Sequence, residues 1–485
     1  MSKEQDVSPS ELEIADELIA ERKSGAPGDL PQDMAPWMRR VITIIDTISL
    51  WAGHIICWML VPLMFAMVYE VFMRKVFIAP TDWAYDVSRM LCGAMFMLGA
   101  GYALMRGVHI RADFIYRNWS PQTQGLIDAT LYLVFYFPAM LFFFWISLEY
   151  ATSAWFRWER SMDTAWMAPV APVRSAMPIG AFLLITQGIS EVLKCVYEFS
   201  PGLRRSFLRI IPIYLLILAV AFVTVMFPDF MPIPFADWMA EVTTAVGGDA
   251  ISSEMIGAIM IAVMLFAIFV GFPISFTLIF LGIFFGSIGF GSKLVFYLMT
   301  LQFNNVMLEQ TLAAVPLFVF MGILMEQAGL MERLFRSVQL MLASTRGSLY
   351  VAVLFVSTIF AAATGIVGAS VTILGIMAAK TMNRSGYDVR LASGTITAGG
   401  TLGILIPPSI MLVVMGPVLE VPVTDLFAAA ILPGIMLAFL YTAYALIRCW
   451  LDPSLGPPLP KEEHPTSYAL VAKEFFFGLG PPAAL

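Results

Sequence analysis

Repeated runs of about 20 uncharged, apolar residues constrain this chain more than any motif in it. A hydrocarbon core about 30 Å thick takes roughly 20 helical residues to cross. Runs of that kind recur near 48–73, 88–105, 125–149, 172–196, 210–227 and 425–450. Within lipid no water can satisfy a peptide N–H or C=O, so a span must be a helix or a strand of a closed barrel. Runs this long and this apolar read as helices, and the chain is expected to be an all-α, polytopic membrane protein. Its charged fraction of 13% is about half that of a soluble domain. The net charge of −7 supplies no basic face to neutralise phosphates, which excludes nucleic acid as a partner.

The usual signatures of an enzyme are missing. Cys57, Cys92, Cys195 and Cys449 form no C-x-x-C pair, and His54, His109 and His464 are dispersed, so neither a disulfide framework nor a zinc site is indicated. No G-x-x-x-x-G-K-[ST] run cradles a nucleotide phosphate. Uphill movement of a solute by this chain would need a driving force other than its own ATP hydrolysis.

Residues 1–40 form an acidic, proline-bearing tail, without the apolar core of a signal peptide. Four spans follow over 41–200, then a linking span and loop over 201–253, an interrupted region over 254–460, and a linker over 461–485. Arg39, Arg40, Arg106, Arg111, Arg204 and Arg205 mark cytoplasmic loops, whereas the stretch from Pro228 to Glu254 holds no Lys or Arg. The amino terminus is therefore expected inside. Arg106, His109 and Arg111 read as an orientation signal touching lipid headgroups, and Trp83, Trp155, Trp158 and Trp166 as interface anchors. Glu70 and Arg74, four apart, read as a local ion pair. Residues 292–312 alternate polar and apolar positions at helical spacing, with Leu294, Phe296, Leu298, Leu301 and Phe303 on an imperfect apolar face, and are expected along the membrane interface.

Two segments carry functional information. Thr364 to Ser370 (TGIVGAS) sets glycines and hydroxyls in an apolar stretch, and Thr395 to Ser409 (TITAGGTLGILIPPS) ends in a proline pair. Prolines inside a span break the hydrogen-bond ladder, and carbonyls freed at membrane depth need a partner. A bound cation is one such partner, and broken helices near the midplane are where secondary transporters hold coupling ions and substrates. Close helix packing through small residues is the competing reading of each segment. Neither segment contains an acidic side chain, which favours a sodium site of neutral oxygens over a carboxylate proton relay.

At these residues the chain resembles the membrane subunits of TRAP (tripartite ATP-independent periplasmic) transporters, small and large subunits joined in one chain. The small-subunit resemblance rests on Tyr69 to Phe77, Trp83 and the run Gly99 to Asp113, which ends R-G-V-H-I-R-A-D. The large-subunit resemblance rests on Gly271-Phe272-Pro273-Ile274, Val315-Pro316-Leu317-Phe318, Gly365 to Ser370 and Gly403 to Ser409. The resemblance implies a helical bundle plus one re-entrant-hairpin repeat of an elevator-type fold in the bacterial inner membrane. It also implies import of an organic acid delivered by a periplasmic solute-binding protein, with no cofactor beyond sodium as the coupling ion. Gly365, Gly368 and Ser370 would form the hairpin tip, facing Thr397, Gly400, Thr401, Gly403, Pro407, Pro408 and Ser409 of a broken helix; Ser370, Thr397 and Thr401 are the sodium candidates. The large subunit of this family has two such repeats, and only one I-P-P-S occurs here. The expectation is a truncated product, or a second polypeptide supplying the other repeat; the alternative function is a non-transporting membrane scaffold.

Overall fold

The computed structural model describes residues 30, 34–112, 115–199, 201–226, 253–290, 292–343, 345–364, 371, 374–458 and 475–476. The tail before residue 30, the 228–252 stretch used for orientation, residues 365–370 of the expected hairpin tip and most of the 461–485 linker lie outside them. Among the described residues there are helices, turns and one isolated antiparallel bridge, Arg160 to Pro169, and no strand. Five helices are long and apolar enough to cross a membrane by length and composition: Pro36–Val76, Ala84–Met105, Pro121–Arg157, Ala171–Tyr197 and Val423–Leu451. The fold class is the one the sequence indicates. The chain divides into two compact units, Met1–Leu308 and Glu309–Leu485.

The first unit contains α1 (Pro36–Cys57), α2 (Leu60–Val76), α3 (Ala84–Met105), α4 (Pro121–Leu131) and α5 (Phe137–Arg157). It continues with α6 (Ala171–Tyr197), α7 (Pro201–Met226), α8 (Ser253–Phe269), α9 (Ile274–Phe290) and α10 (Ser292–Met307). The first helix begins about three turns earlier than the hydropathy suggested, at Pro36 rather than 48, because α1 carries polar groups that the bundle satisfies. Asp46, buried on α1, accepts from Ser190 Oγ at 2.7 Å and Gln187 Nε2 at 2.9 Å and pairs with Lys194 Nζ at 3.1 Å. Lys194 also reaches Glu191 at 2.8 Å, and Ser49 donates to Gln187 at 2.7 Å. Every member has a partner, which is the condition under which a buried polar network fastens helices together instead of weakening them. Backbones also approach closely at glycine: a Cβ on Gly93 would sit 2.2 Å from the Met307 carbonyl oxygen, so α3 and α10 touch main chain to main chain.

The arginine-rich loop after α3 is a clasp within this unit. Arg111 stacks on the Tyr116 ring at 4.8 Å and lies 3.5 Å from Asp128, and the Ile110 carbonyl accepts from Ile274 N at 3.0 Å. Gly271, at φ +92°, admits Tyr116 against its backbone; Phe272 and Phe276 then fill the core, with Tyr132 at 5.2 Å and Tyr136 at 4.5 Å. Arg111 is thus engaged with protein as well as placed at a span end. At the other end of the bundle Arg89 donates to Asp86 and Ser161 at 2.8 Å each, and to Asp163, pinning the loop between α5 and α6. Glu70 and Arg74 form the local pair at 2.6 Å.

Helix α10 divides the residues expected on one apolar face. Phe296, Thr300 and Met307 point inward, with the Phe303 ring tilted against Phe143 at 4.4 Å, while Leu294 and Leu298 are exposed. Packing against α3, α5 and α9 sets this face, at the 3.6-residue period of a helix.

The second unit contains a 3-10 turn (Gln310–Ala313), α11 (Ala314–Gln327), the amphipathic α12 (Leu330–Met341) and α13 (Ser348–Thr364). After residue 370 come α14 (Lys380–Arg384), α15 (Val389–Thr401), a 3-10 turn (Leu402–Ile404), α16 (Ile410–Leu419) and α17 (Val423–Leu451). Its core is formed by Leu349, Tyr350, Val353, Val356 and Phe360 of α13 with Leu334, Leu374 and Met382, all essentially buried.

Candidate functional site

The break between α15 and α16 is built from four sequence signals. Asp388 caps α15 by accepting from Leu391 N at 2.8 Å. At the far end Gly399, Gly400 and a 3-10 turn loosen the helix, and the amides of Leu405 and Ile406 both donate to the Leu402 carbonyl, at 3.0 and 2.9 Å. Pro407 and Pro408, joined by a cis bond, have no N–H for the carbonyls of Gly403 and Ile404 four residues earlier. Ser409, fully buried, repairs half of that loss. Its hydroxyl donates to the Ile404 carbonyl at 2.7 Å and accepts from Leu412 N at 3.5 Å, which starts α16. The Gly403 carbonyl receives no such helical donor.

The hydroxyls along α15 are held in a defined way. Thr401 donates to the Ala398 carbonyl at 2.7 Å and Thr397 to the Ser393 carbonyl at 2.9 Å. A hydroxyl whose proton is committed to its own helix presents only lone pairs outward. Thr397 is exposed and Thr401 half-buried, one turn apart on the same helix face, opposite the buried Thr395 and Gly399. Gly365, Gly368 and Ser370 lie outside the described residues, but Val371, the next in the chain, is packed on α15: a Cβ on Gly400 would be 2.1 Å from Val371 Cγ2 and 3.2 Å from its amide nitrogen.

One polar residue here escaped sequence reasoning. Ser357 on α13 is 1% exposed, and its hydroxyl has no hydrogen-bond partner among the described residues. It sits where a Cβ on Gly399 would be, 2.5 Å away. An orphaned buried hydroxyl costs about 1–3 kcal/mol, and the only hint in the sequence is a Ser-Thr pair within the apolar run before the tip. The Asp46–Lys194–Glu191 network was equally missed; Glu191 and Lys194 inside an apolar run were the available sign. Outside the spans, burial holds the His109 imidazole below its ordinary value, and hydrogen bonds from Arg89 and Ser161 hold the Asp163 carboxyl below the usual carboxylate range.

A multi-spanning helical bundle joined to a unit with an interrupted, proline-broken helix defines a polytopic membrane protein of the discontinuous-helix kind. Residues 63–198 match the family model for the DctQ component of tripartite ATP-independent periplasmic transporters, and residues 258–464 match the model for the DctM component. The chain belongs to the TRAP transporter family, with small-permease and large-permease segments in one polypeptide. It is 38% identical over 130 residues to the C4-dicarboxylate large permease protein DctM of Pseudomonas aeruginosa, 27% of this chain and 30% of that one. It is 24% identical over 383 residues to the sialic acid permease protein SiaT of Haemophilus influenzae, 76% of this chain and 57% of that one. Against the isethionate permease protein DctMQ of Oleidesulfovibrio alaskensis it is 28% identical over 155 residues, 32% of this chain and 24% of that one. The chain thus covers less than two thirds of each of these relatives. The DctM match starts at 258 whereas the second compact unit starts at Glu309; the first helices of the large-permease segment pack with the small-permease bundle.

Proposed function

We propose that this chain is a membrane component of a sodium-gradient-driven secondary transporter that imports an organic acid handed over by a periplasmic solute-binding protein. In this reading it lies in the bacterial inner membrane with its amino terminus in the cytoplasm. The observation that carries the proposal is the last turn of α15. There Thr401 turns lone pairs outward, Pro407 deprives the Gly403 carbonyl of its donor, and Val371 brings the segment after the hairpin tip against Gly400. Hard neutral oxygens gathered at a helix break suit a dehydrated monovalent cation. The relatives named for C4-dicarboxylate and sialic acid support an organic acid as the solute.

The test is sodium-specific stabilisation of the purified chain in detergent, against potassium and choline at equal ionic strength. A ligand at about 100 times its Kd stabilises by about 2.7 kcal/mol. Thr401→Val keeps volume and branching and removes the oxygen, so it should shift the sodium response to higher concentration. Thr401→Ser keeps the oxygen and should respond nearly as the parent does. A valine variant with the parent's sodium response removes Thr401 from the site.

A further inference from the structure

We propose that the basic cavity between α13, α15 and the end of α17 binds the headgroup of an anionic phospholipid. The cavity measures about 650 Å³ and is lined by Arg390, Arg448, Asp388, Tyr441 and Tyr444, over a floor that includes Leu354 and Leu391. Neither guanidinium has a hydrogen-bond or ion-pair partner among the described residues, and both side chains are exposed. Two carboxylates stand nearby and stay charged: Asp388, in the lining, accepts from the Leu391 amide at 2.8 Å, and Asp452 accepts from the Ser454 amide at 3.0 Å and from its hydroxyl at 2.6 Å; neither forms an ion pair with either guanidinium among the described residues. Two unpaired guanidinium groups against one carboxylate leave the lining with a positive excess beside apolar walls, which is the pattern an acidic amphiphile complements.

The position along α17 selects lipid over a soluble anion. Leu440, Tyr444, Ile447, Trp450 and Leu451 are all more than half exposed around the last three turns, the amphipathic and apolar surface expected at an interface. The same end of the unit carries Arg346 and Arg384, and it is drawn together by Gly347 N donating to the Gly456 carbonyl at 3.0 Å and Asp388 N to the Leu455 carbonyl at 3.2 Å. The start of α17, a helix length of about 40 Å away, carries Glu420 and Asp425 and no nearby Lys or Arg. Arginines gathered at one end, with no Lys or Arg near the other, place the cavity at the cytoplasmic leaflet, where anionic lipids concentrate.

The experiment is a titration of the purified full chain in detergent with phosphatidylglycerol, phosphatidylcholine or inorganic phosphate, read as lipid adducts by native mass spectrometry and as thermal stability. Phosphatidylglycerol should bind in preference to phosphatidylcholine. Arg390→Gln combined with Arg448→Gln should weaken that binding roughly thirtyfold, at about 1 kcal/mol for each arginine. Arg384→Gln, at the same end but outside the cavity, should leave it within about threefold. Equal binding of the two lipids, an undiminished preference in the double variant, or competition by inorganic phosphate at equal concentration would each overturn the proposal.

Discussion

Gly394 and Gly400 lie on the same helix, α15, and differ only in what faces them. A Cβ on Gly394 would meet nothing within 4 Å, whereas on Gly400 it would come to 2.1 Å of Val371 Cγ2. Carbon atoms rest about 3.5–4.0 Å apart, so Gly400→Ala needs an opening of about 1.5 Å or more. Valine cannot swing aside freely, being branched at Cβ, and its backbone nitrogen stands 3.2 Å from the same point. Both substitutions gain helix propensity of about 0.5–1 kcal/mol, so that contribution largely cancels between them. What is left is overpacking, about 1–3 kcal/mol. Denaturant unfolding of the two purified variants in one detergent should find Gly394→Ala at or slightly above the parent and Gly400→Ala about 1–3 kcal/mol below Gly394→Ala. Variants equal within about 0.5 kcal/mol would refute the packing of Val371 on α15.

Three other outcomes are expected. Lys194→Met strands the Asp46 and Glu191 carboxylates in the bundle and should destabilise by about 3–5 kcal/mol, with partial rescue by an added Glu191→Gln; unchanged unfolding of the single variant would remove the network from the account. Asp163 is held below its ordinary value near 3.8, so its contribution is complete above that pH and is lost as pH falls further through the lowered folded value. Hydrogen exchange at the Ser161 amide, which donates to the Ala168 carbonyl at 2.7 Å, should therefore be flat at neutral pH after correction for intrinsic rates and lose protection only below about pH 4. Spin labels along α10 should alternate with a period near 3.6 residues, shielded at 296, 300, 303 and 307; a flat profile would contradict the packing of that helix.

How much of this was legible depended on whether a residue's role is local. The I-P-P-S break could be read because proline removes an N–H wherever it stands, and the N-cap role of Ser409 follows the same local chemistry. The start of α1 at Pro36 could not. Arg39, Arg40 and Asp46 depress hydropathy there, and only α6, about 140 residues away, supplies the Ser190 and Lys194 partners that make Asp46 tolerable inside. Ser357 was illegible for a similar reason. A Ser-Thr pair in LFVSTIF is commonplace, and the isolation of the Ser357 hydroxyl appears only when Gly399 is folded against it. The arginine-rich loop suited a membrane-surface signal by sequence, and its second role required Asp128 and Ile274 to arrive from other helices. Leu294 and Leu298 were grouped with Phe296 by a helical wheel that cannot know which side its neighbours occupy.

The most direct test of the transport proposal is solute uptake in proteoliposomes, with the permease assembled with its binding protein and loaded substrate. The account predicts uptake that requires an inward sodium gradient, is indifferent to ATP, collapses when sodium is equal on both sides, and needs more sodium in Thr401→Val than in Thr401→Ser. Uptake that persists without a sodium gradient, or that follows ATP, would contradict it.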